Sequence, residues 1–368
     1  DFYSQRNNSV QAIFETSDES GDKSIGSLNA IKSILWASKG VASYNFGNNE
    51  LEFGYEFTST DRKDKFTNTN DGLPDADDHI NESTVAGFLS VNVPVNEVEF
   101  YAGIRYERTI SDYYIFSSFV PEQSRKYSRL YPSFDFSFPI RKANFTLSYT
   151  AKTKRPLYSQ LSSAIQYDDR FTYETGNPYL TSEMIHDISL AGVWKWIFFS
   201  MGWQYDKDAI MSVIKPYESG SPINLMSYDN FSHISKYNVV LSLSPKIKRW
   251  SPRLRLNLLG QDFDISTMNG IRNMNTPILF WNFYNTINLG KGFNLTADLM
   301  GRTQGDMDVV TLKPSWQLNI GMTQNLNNWF FQLQATDVFK TARNSMITYG
   351  EQMTLNKWNY SDTQAIRL

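Results

Sequence analysis

The chain has 368 residues, a net charge of −3, 20% charged residues and no cysteine. The missing cysteine excludes disulfides, thiolate metal sites and thiol catalysis, and the small net charge without basic–aromatic clusters excludes a nucleic-acid interface. At 41% apolar and a mean hydropathy of −0.43, the chain has no run of about 18 apolar residues, so no transmembrane helix is available.

Strict two-residue alternation runs from one end to the other. Leu51, Phe53, Tyr55 and Phe57 interleave with Glu50, Glu52, Gly54 and Glu56. Val98, Phe100, Ala102, Ile104 and Tyr106 interleave with Glu97, Glu99, Tyr101, Gly103, Arg105 and Glu107. Phe145, Leu147, Tyr149 and Ala151 alternate with Asn144, Thr146, Ser148 and Thr150. Side chains on a strand point to opposite faces in turn, so each segment has one apolar and one polar face. The pattern predicts fifteen or sixteen strands, at roughly 31–46, 50–63, 81–93, 97–110, 127–139, 143–155, 183–194, 198–214, 228–244, 252–264, 275–289, 293–303, 310–324, 328–336 and 355–368, with a possible first strand near Val10 to Thr16. A short helix is expected within Tyr158 to Tyr167, where Leu161 and Ile165 have apolar helical spacing.

The connections alternate between short and long. Turns are expected at Asn48-Asn49, Pro94-Val95-Asn96, Arg141-Lys142, Lys195-Trp196, Pro245 to Ser251, Gly290-Lys291-Gly292 and Asn325 to Asn328. Longer polar stretches fall at roughly 64–80, 111–126, 156–181, 216–226, 264–274, 304–309 and 337–354. A soluble sandwich would bury its apolar faces against each other and has no reason to place every long loop at one end. A membrane barrel turns those faces to lipid, with short periplasmic turns and long outer loops. The expected fold class is therefore all-β, an antiparallel transmembrane β-barrel spanning 1–368 as one barrel portion. Aromatics at 15%, with Tyr 21, Phe 25 and Trp 9, suit the girdles of such a wall.

The lipid face is assigned Phe134, Phe136, Phe138, Phe199, Met201, Trp203, Tyr205, Leu254, Leu256, Leu258, Phe293, Leu295, Ala297, Leu299, Trp316, Leu318, Ile320, Met322, Trp329, Phe331 and Leu333. The lumen receives Asp135, Gln204, Asp206, Arg253, Arg255, Asn257, Asp298, Gln317, Asn319, Gln332 and Gln334. Arg or Lys at the midplane of a lipid face costs about 2–4 kcal/mol, which explains their scarcity there.

Few residues carry chemistry. Base catalysis could draw only on His79, His186 and His233, and adjacent His186 and Asp187 point to opposite faces of a strand. No enzyme activity and no cofactor are expected. The acidic stretch from Asp71 to Glu82 has oxygens at alternate positions but not the spacing of an EF-hand, leaving a calcium loop and a solvated acidic loop both open. Loop aromatics Tyr113, Tyr114, Phe116, Phe119, Tyr167, Phe171, Tyr173 and Tyr179 would either stack on a ligand or pack the loops together. Substrate contact, if this chain makes any, is expected from Tyr167, Asp168, Asp169, Arg170 and Tyr173, which combine π-faces with charged groups. The alternative is that Arg170 pairs with Asp168 or Asp169 and pins the loop.

Arg155-Pro156-x-Tyr158, followed by Gly176-Asn177-Pro178-x-Leu180-x-x-Glu183, resembles a signature of TonB-dependent outer-membrane receptors, specifically the Bacteroidetes-type barrel family. Tyr205-Asp206-Lys207-Asp208-Ala209-Ile210 and Asp337-Val338-Phe339-Lys340-Thr341 resemble two later signatures in the same order. The Gly176-Asn177-Pro178 turn is expected to serve structure rather than ligand binding. The resemblance implies a 22-stranded barrel with an N-terminal plug, contact with outer-membrane lipid, energy from the TonB complex, and a surface lipoprotein as a further partner. This chain carries neither plug nor Ton box and fewer strands, so it is expected to be the C-terminal part of a larger receptor. The expected function is import of a bulky nutrient: an oligosaccharide, peptide or metal chelate. A passive porin and a non-transporting scaffold of a surface complex are the alternatives.

Overall fold

The computed structural model describes residues 1–16, 21–69, 72–351, 353–359 and 362–368, and 76% of these described residues lie in strands. Among the described residues the main sheet has nineteen strands. Three are short loop strands, Ser118–Phe119, Ile165–Asp169 and Thr172–Thr175. The other sixteen follow one another as an up-and-down antiparallel meander. They are β1 (Phe2–Glu15), β2 (Lys23–Phe46), β3 (Asn49–Asn68), β4 (Ala76–Val95), β5 (Val98–Ile115), β6 (Arg125–Ile140), β7 (Ala143–Lys154) and β8 (Glu183–Trp194). There follow β9 (Ile197–Pro216), β10 (Asn224–Leu243), β11 (Trp250–Asp262), β12 (Ile278–Gly290), β13 (Phe293–Arg302), β14 (Ser315–Leu326), β15 (Trp329–Thr336) and β16 (Ala365–Arg367).

The expected short turns hold a residue in the left-handed region: Asn96, Arg141, Lys195, Lys291 and Asn327, with φ between 51° and 58°. Two-residue hairpins need positive φ to match strand twist, and this accounts for the tight reversals. The strands exceed the expected spans at several loop ends. β2 begins at Lys23 and β4 at Ala76, while β1 extends at its other end, to Phe2 opposite Trp36. Backbone pairing continues there beyond the strict alternation, where apolar residues such as Ile25, Leu28 and Ile80 are scattered among polar ones.

The chain divides into two compact units, each described by itself: Asp1–Phe134 with Thr150–Ile185 and Lys207–Ser232, and Asp135–Tyr149 with His186–Asp206 and His233–Leu368. In the first unit, register aligns Ala42, Phe53, Leu89 and Ile104 in one row and Gly40, Tyr55, Gly87 and Tyr106 in the next. This apolar face is the exposed one: Phe53 is 49% and Tyr55 54% exposed. A sandwich would have covered it. Opposite it lie Glu56, Arg105 and Glu107, with Arg105 donating to Glu56 at 2.9 Å and to Glu107 at 3.1 Å.

In the second unit, register aligns Leu241, Leu256, Trp281, Gly301 and Trp316, then Leu243, Leu254, Phe283, Leu299 and Leu318. The residues assigned to lipid on these strands thus share one face. The loops carry structure of their own. Asp264–Thr267 pairs with Gly270–Asn273, and Gly305–Met307, Val310–Leu312, Asn344–Tyr349 and Thr354–Asn359 form a four-stranded sheet.

Candidate functional site

The loop between β7 and β8, in the first unit, carries the expected contact residues, and its anchors determine where they sit. Arg155 leaves β7 and donates to Glu107 and, at 3.3 Å, to Thr109. A 3₁₀ turn covers Tyr158–Leu161, and a strand starts at Ile165. The helix expected to Tyr167 stops early because Ile165–Asp169 finds an antiparallel partner in Thr172–Thr175. Asp78 of β4 holds the junction, accepting from Ser163 N at 2.8 Å and Ser163 Oγ at 2.7 Å.

At Gly176 the loop folds back on itself, and a Cβ there would meet Ser162 O at 2.5 Å and Gln160 O at 2.7 Å. Only glycine permits that approach. Asn177 donates through its backbone to Gln160 O at 2.6 Å and through its side chain to Tyr228 O at 2.9 Å. Leu180 is fully buried with Ile80, Tyr113, Leu161 and Ile210. Glu183 accepts from Lys154 at 3.3 Å and from Ile210 N at 3.2 Å. Arg155, Gly176, Asn177, Leu180 and Glu183 of the signature each close the loop or tie it to a strand.

The hairpin Ile165–Thr175 then presents the five expected residues. Tyr167 and Tyr173 are buried, 2% and 9% exposed, in a cluster with Ile25 and Leu73. Tyr167 donates its hydroxyl to Glu15 at 2.8 Å, and Arg170 donates to the same carboxylate through Nε at 3.0 Å. Arg170 therefore pins the loop through Glu15. Burial alone would raise the Glu15 carboxyl, but the hydrogen bonds from Tyr167 and Arg170 outweigh it and hold it below its ordinary value. Burial and the Glu15 carboxylate together push the Tyr167 phenol up. Asp168 and Asp169 are exposed at the tip, beside Phe171, which is 57% exposed.

Beneath the hairpin, on the polar face of the same unit, lies a cavity of 270 Å³. Asn29, Arg62, Asp64, Gln166, Glu174 and Tyr228 are among its lining residues. It offers charges of both signs and amides, the groups that orient a polar ligand.

The acidic stretch divides. Asp71 lies outside the described residues, Asp75 accepts from Asn68 N at 2.8 Å, and Asp78 holds the loop junction. Among the described residues no three His, Cys, Asp or Glu side chains converge as a metal would require. His79 meets Asp61 at 2.9 Å, and His186 Nδ1 meets the Tyr149 hydroxyl at 3.0 Å. In the second unit the later signatures bury one carboxylate each. Asp206, fully buried, accepts from Gln204 at 2.7 Å and lies 3.4 Å from Lys236 Nζ. Asp337, 1% exposed, accepts from Thr341 N at 2.9 Å, Ala342 N at 3.2 Å and Thr363 Oγ1 at 2.6 Å. Sequence reasoning found these signature residues but missed Glu15, which no local pattern marks.

Residues 2–368 match the model of the outer membrane protein β-barrel family. No curated protein matches the chain. Among solved structures, the copper transporter OprC aligns with a TM-score of 0.70 at 10% identity, over 99% of this chain and 61% of that one. The ferric-catecholate import receptor Fiu from E. coli K12 aligns at 0.59 and 9% identity, over 99% and 60%. The siderophore receptor PiuA from Acinetobacter baumannii aligns at 0.56 and 8% identity, over 99% and 60%. The chain thus spans about three fifths of the length of each, and at these identities the likeness is one of fold.

Proposed function

Because the chain belongs to the outer membrane β-barrel family and so resides in the bacterial outer membrane, we propose that it forms part of the wall and outer-loop apparatus of an importer for a bulky polar nutrient, driven by TonB. An oligosaccharide, a peptide or a metal chelate each fits the reading. The observation that carries it is the β7–β8 loop, which is folded onto the polar face over a cavity lined by Arg62, Asp64 and Glu174. An ordered hairpin over a cavity lined by charges of both signs can hold a polar ligand, which a receptor must do before moving it. The named activities of OprC, Fiu and PiuA support import as the class of function.

In this reading Asp168, Asp169 and the Arg170 edge meet ligand at the hairpin tip, with Tyr167 and Tyr173 fixing the hairpin from beneath. TonB would act through a plug, and a surface lipoprotein would cap the outer loops. The test is uptake of candidate nutrients by cells carrying the full-length protein, with and without a protonophore and with and without TonB. Import should stop when either energy source or TonB is removed. Uptake that persists at the same rate under both conditions would leave a passive pore instead.

A further inference from the structure

The cavity beneath the Ile165–Thr175 hairpin is unbalanced in charge. Asp64 of β3 lines it, and its directly opposite residues on the two neighbouring strands are Ile31 of β2 and Asp78 of β4. Glu174, exposed on the hairpin, lines the same space. Among the described lining residues the cation is Arg62, which donates to Asp64 at 3.2 Å and stacks over the Tyr158 ring at 5.1 Å. Asp78 is met by neutral donors, the Ser162 hydroxyl at 3.2 Å and Ser163 N at 2.8 Å. Among the described residues no ion pair involves Asp78 or Glu174, so three carboxylates stand against one guanidinium. Like charges directly opposite on adjacent strands destabilise a sheet, and a cleft with an excess of one sign concentrates the other.

The second unit shows how the chain satisfies such a place by itself. A cavity of 340 Å³ there is lined by Asp187, Asp306, Asp308 and Lys236, and the Lys236 ammonium sits 3.3 Å from Asp308 and 3.4 Å from buried Asp206. Among the described residues no lysine lines the first cavity, so an ammonium there must come from outside. The remaining wall suits the rest of a basic side chain. Ile31, Phe66 and Met226 are apolar, and lysine and arginine lay their methylene stems along apolar surface while the charged head stays polar. At 270 Å³ the cavity falls below the roughly 300–1,000 Å³ that holds a whole small ligand, so it takes one arm of a bulky one. We propose that this cavity receives the ammonium or guanidinium arm of a basic peptide, with its head at Asp64 and Glu174 and its stem on Ile31, Phe66 and Met226. The inference rests on the import reading and selects the peptide among its three ligand classes. A neutral oligosaccharide leaves the carboxylates unpaired, and an anionic chelate is repelled by them.

The test is calorimetric titration of detergent-purified full-length protein with the capped tripeptides Ala-Lys-Ala and Ala-Arg-Ala, alongside Ala-Gln-Ala and Ala-Glu-Ala. With each carboxylate counted separately, the basic peptides should bind roughly 30-fold tighter than the neutral one, and E174Q should weaken them roughly fivefold. E174K should reverse the preference toward Ala-Glu-Ala, and E97Q, at a short turn, should change nothing. Folding of each variant is verified by heat-modifiable migration. D64N is added where it folds, and the exposed Glu174 variants serve alone where it does not. The titration uses no energy source, so its outcome is separate from that of TonB-dependent uptake, and either can fail while the other stands. Equal affinity of the wild type for basic and neutral peptides would overturn the proposal, as would unchanged binding by folded E174Q. Absence of binding by both basic peptides at millimolar concentration would overturn it too, and tighter binding of Ala-Glu-Ala by the wild type would assign the cavity to anions instead.

Discussion

Replacing Asp337 with asparagine tests whether the late signature is a structural anchor. The carboxylate is buried and accepts three hydrogen bonds, from Thr341 N at 2.9 Å, Ala342 N at 3.2 Å and Thr363 Oγ1 at 2.6 Å. Hydrogen bonds to a charged acceptor contribute about 1 kcal/mol more than those to a neutral one, so losing the charge should cost about 2–3 kcal/mol locally. A chain of this size need not unfold in one step, so the readout is amide hydrogen exchange at Thr341 and Ala342. Exchange at both should accelerate roughly 30- to 150-fold in D337N and further in D337A, which leaves both N–H groups without an acceptor. The pH dependence gives a second, independent handle. Burial would raise the Asp337 carboxyl, but the hydrogen bonds from Thr363, Thr341 and Ala342 outweigh it and hold it below its ordinary value. A depressed folded pKa means the stabilisation is complete above the unfolded value of about 3.9 and is lost as pH falls through the folded one. Wild-type protection, corrected for intrinsic exchange, should therefore fall in acid, while D337N stays level. Exchange within threefold of wild type at neutral pH would refute the anchor.

Two further outcomes follow from the β7–β8 loop. Arg155→Ala removes one of two guanidinium partners of buried Glu107, leaving Arg105 at 3.1 Å, so the cost should fall short of the roughly 3–5 kcal/mol of a fully broken buried pair. It should appear as a lower temperature for loss of heat-modifiable migration, and no shift would exclude the clamp. Tyr167→Phe deletes the 2.8 Å hydrogen bond to Glu15 and should loosen the hairpin by about 1–3 kcal/mol, seen as faster tryptic cleavage after Arg170. Asp168→Asn, at the exposed tip, should leave that cleavage rate unchanged.

The strand pattern was legible wherever one face meets lipid. Leu51 to Phe57 and Val98 to Tyr106 announce both strand and face, because only the apolar parity is constrained there. The first half of β1 was not legible, since Ser4-Gln5-Arg6-Asn7-Asn8-Ser9 is polar on both faces and pairs through its backbone alone. The loop strands escaped for a different reason: segments such as Asp264–Thr267 and Asn344–Tyr349 are too short to display a period, and the expected strands 310–324 and 355–368 each merged a loop strand, Val310–Leu312 or Thr354–Asn359, with a wall strand, β14 or β16. At the candidate site the sequence revealed the turn at Gly176-Asn177-Pro178 but not its partners. Glu15 lies 152 residues from Tyr167, and only the folded chain brings them together.

The same physics explains why the three signatures are spread along the chain yet do similar work. Glu183 opens β8, Asp206 lies midway along β9, and Asp337 follows β15. All three are at most 3% exposed, so each would be costly to bury without donors. Asp337 accepts from Thr341 N and Ala342 N just past the end of β15, whereas Glu183, at the first residue of β8, accepts from Ile210 N within β9. Asp206 instead meets side chains, Gln204 and Lys236. A long outer loop exposes unpaired backbone at its roots, and a buried carboxylate is an efficient acceptor there because its charge strengthens each bond. Such anchors hold a loop whatever it binds. Residues that select a ligand need the opposite properties, exposure and freedom from internal partners. The hairpin tip around Asp168 and Phe171 has that exposure, while the signature residues beneath it are occupied. The division also accounts for how a motif can identify the family yet say nothing of the substrate. Its residues report how the loops are rooted, and selectivity resides in what those roots leave uncovered.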